Sequence, residues 1–152
     1  MTKEIHQGVG LLIGNQDQSR FFVQIKDEQY PFEAWRGACA FWGGAIEKED
    51  ANALVAVERE VMEEIPAAVP ILRNISKTKI KQYLINNQHV QQVFGLTIFE
   101  AIVSDEQLEK IAQSEVLEGK GVLMNRATLL QAQWIWGIDF IFEEYLKLKD
   151  NL

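Results

Sequence analysis

Apolar residues recur along this chain with two different periods. Gly8 to Ile13 (GVGLLI) and Arg20 to Lys26 (RFFVQIK) are apolar stretches of strand length, and the polar NQDQS between them reads as a hairpin turn. Ala38 to Trp42 is a further strand, running into the pair Gly43-Gly44. Ser76 to Ile85 and His89 to Val103, either side of Asn87-Gln88, carry the pattern of a long hairpin. Helical spacing takes over from Ala53 to Ile65. At about 100° per residue, Leu54, Val57, Val61 and Ile65 share one arc, the stripe that a packed helix needs. Ser104-Asp105-Glu106-Gln107 opens a short helix with a good cap, and Leu108 and Ile111 form its apolar side. Arg126 to Gln133 and Gly137 to Lys147 read as closing helices, the second with Ile138, Ile141, Phe142 and Tyr145 three and four apart. No repeat, low-complexity tract or linker interrupts this order, so one domain over 1–152 is expected.

Composition changes this picture little, and charge changes it more. A net charge of −7, with no cluster of Lys and Arg, argues against a nucleic-acid-binding surface. The single cysteine, Cys39, excludes an internal disulfide and fits a reducing compartment. With no base near it in sequence, it reads as a small buried apolar residue. The N-terminus has no charged-then-apolar leader and no run approaches 18 apolar residues, so a cytoplasmic protein without a membrane partner is the expectation. His6 and His89 are too few for a zinc site or a triad, and His89 falls at the hairpin turn.

The chemistry concentrates at the end of the Ala53–Ile65 helix. Glu60, Glu63 and Glu64 fall on one arc, with Ala53 and Ala56 earlier on the same side. Side chains three and four apart are neighbours, so Glu60 faces both other acids. On a solvated surface such a grouping costs only about 0.2–0.5 kcal/mol per pair, which makes an exposed acidic face the ordinary explanation. A hard-cation site is the other, since Mg²⁺ and Mn²⁺ take oxygen ligands. Arg59 lies beside these acids and can pair with Glu63 at i+4.

Taken together, a glycine pair, an acidic loop and R-E-x-x-E-E on a helix resemble the signature of the Nudix hydrolase family, G-x5-E-x7-R-E-U-x-E-E-x-G-U (U apolar). Arg59, Glu60, Val61, Glu63 and Glu64 match its R-E-U-x-E-E part. The interval from Gly44 to Arg59 is one residue longer than the pattern, which leaves the loop acid open among Glu47, Glu49 and Asp50, and Pro66 replaces the late glycine. The helix cap is left open between Asp50 and Asn52.

The resemblance implies an α/β fold: a Nudix-type α/β/α sandwich with a mixed sheet between helices. It implies Mg²⁺- or Mn²⁺-assisted hydrolysis of a diphosphate linkage in a small-molecule nucleoside diphosphate derivative. Glu60, Glu63 and Glu64, with a carbonyl of Gly43 or Gly44, would hold the cation. Glu115 to Gly121 resembles the Glu-Gly loop of many Nudix enzymes, which assigns Glu118 as a further ligand or as the base. Glu63 is the other candidate base, Glu115 the stand-in for Glu118, and Arg59 the residue that orients Glu63. A homodimer is compatible with the sequence. The alternative is a Nudix-fold domain that binds a nucleotide without cleaving it, although such domains usually lack part of the acid set. An isomerase relative would need a catalytic cysteine, and only Cys39 is present.

Other residues carry weaker signals. Arg36, near the glycine pair in sequence, can hold a diphosphate oxygen, and Trp35 can stack on a base; surface pairing and core packing are equally ordinary roles. Gly43 and Gly44 let the main chain approach a ligand closely, or mark a bulge. Lys77, Lys79 and Lys81 recur at period two and are expected on one face, as a solvated sheet edge rather than a phosphate cleft. Trp134 and Trp136, between the closing helices, could select a nucleobase if near the site, but core packing is the more ordinary role.

Overall fold

The computed structural model describes residues 6–87 and 92–151. Its strands are β1 (His6–Asn15), β2 (Arg20–Ile25), β3 (Cys39–Ala40), β4 (Trp42–Ala45), β5 (Lys77–Asn87), β6 (Gln92–Val103) and β7 (Lys120–Asn125). Its helices are α1 (Ala53–Glu64), α2 (Val69–Leu72), α3 (Asp105–Ala112), α4 (Arg126–Gln131) and α5 (Asp139–Asp150).

The strands form one mixed sheet in the order β3-β2-β1-β6-β5, with β4 also beside β1 and β7 beside β2. β1 and β6 run parallel, from His6 opposite Phe94 to Asn15 opposite Val103. On its other edge β1 pairs with β4 through Gly8 to Leu11 and with β2 through Ile13 and Gly14, so the sheet forks there. Val9, Leu11 and Ile13 point to a core shared with α1, α2 and α3, while Leu12 points to a second core built on α5 and Trp134. Alternation along β1 therefore requires helices on both faces, as the sandwich expectation held.

Several local expectations are met. α3 begins with a complete capping box between Ser104 and Gln107, and Leu108 and Ile111 are buried. Ile138, Ile141, Phe142 and Tyr145 form the buried stripe beside and along α5. Cys39 is buried, and burial pushes its thiol up to about 11.

Others need correction. The Ala38–Trp42 strand breaks at Phe41, and the glycine pair lies inside β4 rather than closing a strand. A bulge between Lys79 and Lys81 shifts the β5 register, so Lys77 and Lys79 share a face, as expected, and Lys81 turns to the other. Lys77 donates to the Leu72 carbonyl on the α1 side, whereas Lys81 pairs with Glu144 of α5. The two closing helices are present, but the first ends at Gln131 and the second begins at Asp139, with a 3-10 turn over Ile135–Gly137 between them. His89 lies outside the described residues. Among the described residues, no helix is long and apolar enough to cross a membrane.

Candidate active site

α1 starts where Asn52, not Asp50, caps it: the Asn52 side chain accepts from the Val55 N–H at 3.0 Å. It ends at Pro66, which has no N–H to continue the ladder. Its buried face is Ala56, Val57, Glu60, Val61 and Glu64, while Leu54, expected in the apolar stripe, is 38% exposed. The helix is thus rolled toward its carboxylates. The glycines of β4 permit this, because a Cβ on Gly44 would stand 2.7 Å from Glu60 Oε1. The Glu60 carboxylate occupies space that any other residue would fill. Gly44→Ala is therefore expected to displace the Glu60 carboxylate in a folded protein, read from the Glu60 side-chain carboxyl resonance beside circular dichroism. Gly43 is also fixed as glycine: its φ is +151° and a Cβ there would collide with the Val9 carbonyl.

The three acids expected on one face have different surroundings. Glu63 is exposed, and Arg59 donates to it at 3.2 Å, the i+4 pair read from the sequence. Arg59 also donates to Glu60 at 3.1 Å and to the Ala45 carbonyl at 3.0 Å. Its principal partner is Asp50, held through Nε at 3.0 Å and Nη2 at 2.9 Å. This two-point hydrogen bond holds the Asp50 carboxyl below the usual carboxylate range and raises the guanidinium. Of the three loop acids left open, Asp50 makes the contact, and its side chain is only 4% exposed. Glu47 approaches Arg59 at 3.6 Å with its side chain largely in solvent. Asp50→Asn is expected to free Arg59 and lower the urea midpoint, whereas Glu49→Gln leaves it unchanged; parallel unfolding measurements check both.

Glu64 is the most deeply placed acid, 1% exposed. Its Oε1 accepts from the Gly43 N–H at 2.8 Å and its Oε2 from Gln24 Nε2 at 2.9 Å. The same Gln24 amide donates to the Glu118 carbonyl at 2.8 Å, and the Leu117 N–H donates to the Glu64 carbonyl at 2.8 Å. The 115–119 loop is thereby pinned over the end of α1, which brings Glu118 to the helix as the sequence suggested. Burial, and then the negative charge of Glu118, push the Glu64 carboxyl up to about 8. Glu60 is raised by burial against the opposing pull of Arg59, with Glu63 and Glu118 adding to the rise. Among the described residues, no three His, Cys, Asp or Glu side chains stand around one point as a metal ion would need. Glu60 and Glu63 lean toward Arg59, and Glu64 toward Gly43 and Gln24.

Beside these acids, on the α5 face of the sheet, lies a cleft of about 330 Å³. Gly8, Gly10, Gly43 and Gly44 form its floor, and Tyr30, Phe32, Phe41, Phe94 and Trp136 supply aromatic walls. Phe32 meets Trp136 edge-on at 4.7 Å. Trp136 has φ +54°, a costly backbone state for a bulky residue, and here it sets the indole into the cleft wall rather than the core. Trp134 is in the core as expected. Lys26 lines both this cleft and the groove beside Glu118 and Gly119, and its charge acts on Glu64. Arg36 does not line the cleft: its Nε donates to the Tyr30 carbonyl at 2.9 Å and the residue is exposed. Lys26, absent from the sequence expectations, holds the position given there to Arg36. Gln24 had a visible signal, as an amide inside the apolar strand RFFVQIK.

No family model matches the sequence, and no curated protein is similar to it. Solved structures are similar in fold. A mutT/nudix family protein from Listeria innocua superimposes with a TM-score of 0.70 at 16% identity, over 99% of this chain and 97% of that one. The fold is the Nudix fold. The NUDIX domain of Shewanella oneidensis NrtR, solved with ADP ribose, matches with a TM-score of 0.66 at 14% identity, over 97% and 90% of the chains. NrtR itself, also solved with a 27mer DNA, is longer: at 17% identity and a TM-score of 0.68, 95% of this chain spans 64% of it.

Proposed function

We propose that this chain is a single-domain Nudix hydrolase that cleaves a diphosphate linkage in a nucleoside diphosphate-X substrate with Mg²⁺ or Mn²⁺. One observation carries the reading: Lys26, which lines the aromatic cleft, also lines the groove beside Glu118 and acts by its charge on the buried Glu64. A planar base stacks against Tyr30, Phe32 and Trp136, whose faces suit any nucleobase. Lys26 meets the diphosphate beyond it. Glu64, Glu60 and Glu118 lie where that diphosphate ends.

The donor chemistry suits a hard divalent cation, which would draw in carboxylates that do not yet converge on one point. The donors are all oxygen, Glu64 and Glu118 repel each other, and buried Gln24 Oε1 has no partner among the described residues. Glu60, Glu63, Glu64, Glu118 and the Gly44 carbonyl would hold it. When bound, it neutralises charge on the phosphate oxygens and lowers the pKa of an attacking water. Gly43 donates its N–H to Glu64 and fixes that carboxylate. Arg59, anchored on Asp50, orients Glu63 and Glu60. Glu118 or Glu63 accepts the proton of the water.

The net charge of −7 favours a small-molecule partner over nucleic acid. Phosphate release from a panel of nucleoside diphosphate derivatives, with and without Mg²⁺, tests the reading. Mg²⁺-dependent release from at least one is expected. Saturable binding of a panel member with no release under any metal overturns hydrolysis in favour of a binding domain.

A further inference from the structure

The carboxylate centre contains a buried polar atom that nothing in the described residues satisfies, Oε1 of Gln24. Gln24 is fully buried, at 0% exposure, in β2 between Val23 and Ile25. A buried carbonyl left without a donor is destabilising, a cost that leucine at the same place would avoid. The other end of the amide is used twice, on Glu64 Oε2 at 2.9 Å and on the Glu118 carbonyl at 2.8 Å. Those two acceptors also fix which end is which: turned round, Oε1 would face two oxygens with no hydrogen between them. Covalent geometry then keeps Oε1 within about 5 Å of the Glu64 carboxylate.

The loop closes directly on this amide. Gly119 has φ +70°, and a Cβ there would stand 2.7 Å from the Ile25 carbonyl and 3.1 Å from Gln24 Cγ. One side chain thus joins β2, the end of α1 and the 115–119 loop, and keeps an acceptor free beside the acids.

We propose that Gln24 is the positioning residue of this centre. Its NH₂ holds Glu64 and the Glu118 main chain together, and its Oε1 accepts a hydrogen bond from a water carried by a bound divalent cation. The inference rests on the hydrolase reading above. Gln24 acts through Glu64 and Glu118 and touches no reacting atom.

The test is Gln24→Leu, with Mn²⁺ affinity measured by electron paramagnetic resonance of the free ion, alongside kcat and KM. Expected are a Mn²⁺ Kd raised about tenfold, a kcat lowered about tenfold and a KM within about twofold, because the aromatic cleft is untouched. A merely structural glutamine would lower the melting temperature and leave the Kd of the folded protein where it was; that result overturns the proposal. In the unaltered protein, saturating Mg²⁺ is expected to shift the Gln24 side-chain amide resonances, a readout independent of whether the variant folds. Unmoved resonances at saturation also overturn it. If the unaltered protein neither binds Mn²⁺ nor hydrolyses any substrate, the hydrolase reading itself fails. If it does both and Gln24→Leu behaves identically, only the role of Gln24 is lost.

Discussion

Glu64→Gln is expected to lower kcat by at least about a hundredfold, roughly 3 kcal/mol on the barrier, while the protein stays folded. Glu60 and Glu63 each have a guanidinium against them, but the Glu64 carboxylate is met by neutral N–H donors from Gly43 and Gln24. Among the described residues no cation contacts this buried carboxylate, so this acid gains most from a divalent ion and loses most when neutralised. Glutamine keeps the length and volume. Its carbonyl still accepts from Gly43, while its NH₂ meets the Gln24 NH₂ and that hydrogen bond is lost, or, if the Gln24 amide turns, the one to the Glu118 carbonyl is lost instead, so the structural cost is about one to two hydrogen bonds. Initial rates with Mg²⁺ on every accepted substrate, with near-ultraviolet circular dichroism as the fold control, decide it. Unchanged rates throughout would remove the cation from the proposed chemistry.

How much of this was legible in the sequence depended on whether the signal was local. The R-E-x-x-E-E helix is readable because its period, its two cap candidates Asp50 and Asn52, and Pro66 lie close together along the chain. Its orientation is not. A hydrophobic arc with glutamates outside is the usual rule, and here Gly44 provides the room that draws Glu60 inward and turns Leu54 out. The loop acid could not be chosen because Glu47, Glu49 and Asp50 differ only in how the loop bends, and the bend depends on the Glu47 N–H donating to Asp50 Oδ2 at 2.8 Å. Arg36 was favoured by its nearness to Gly43 along the chain. Lys26 reaches the site because β2 continues past Gln24 toward Glu118, a relation visible only in three dimensions. The aromatic cleft draws on residues 30–41, 94–96 and 135–138, so no window of sequence contains it.

The stability of the metal-free protein carries the same information in a form independent of any substrate. Kept free of divalent ions by a chelator, it is expected to lose stability steadily as pH rises from about 5 to 8. The sign follows from Glu64, whose carboxyl lies at about 8 in the folded chain and has a reference value of 4.5. Between these values the folded state holds a proton that the unfolded state has released, so each step up in pH favours unfolding. Above about 8 both states are ionised and the slope from this group ends. Solvent rearrangement and the shared charge with Glu118 reduce the full linkage to an expected loss of a few kcal/mol. Glu60, also raised by burial, acts in the same direction. Asp50 acts oppositely, but its carboxyl is lowered, so its stabilisation disappears only as pH falls below the ordinary carboxylate range, outside this window. Urea midpoints at pH 5, 6, 7 and 8 measure the slope. Millimolar Mg²⁺ is expected to flatten it, because the cation takes the place of the proton between the acids, and Glu64→Gln to remove most of it. A midpoint that stays level or rises across the window, or a slope that survives Glu64→Gln, would mean that the buried carboxylate is not strained, and the argument for a cation beside it would lose its electrostatic basis.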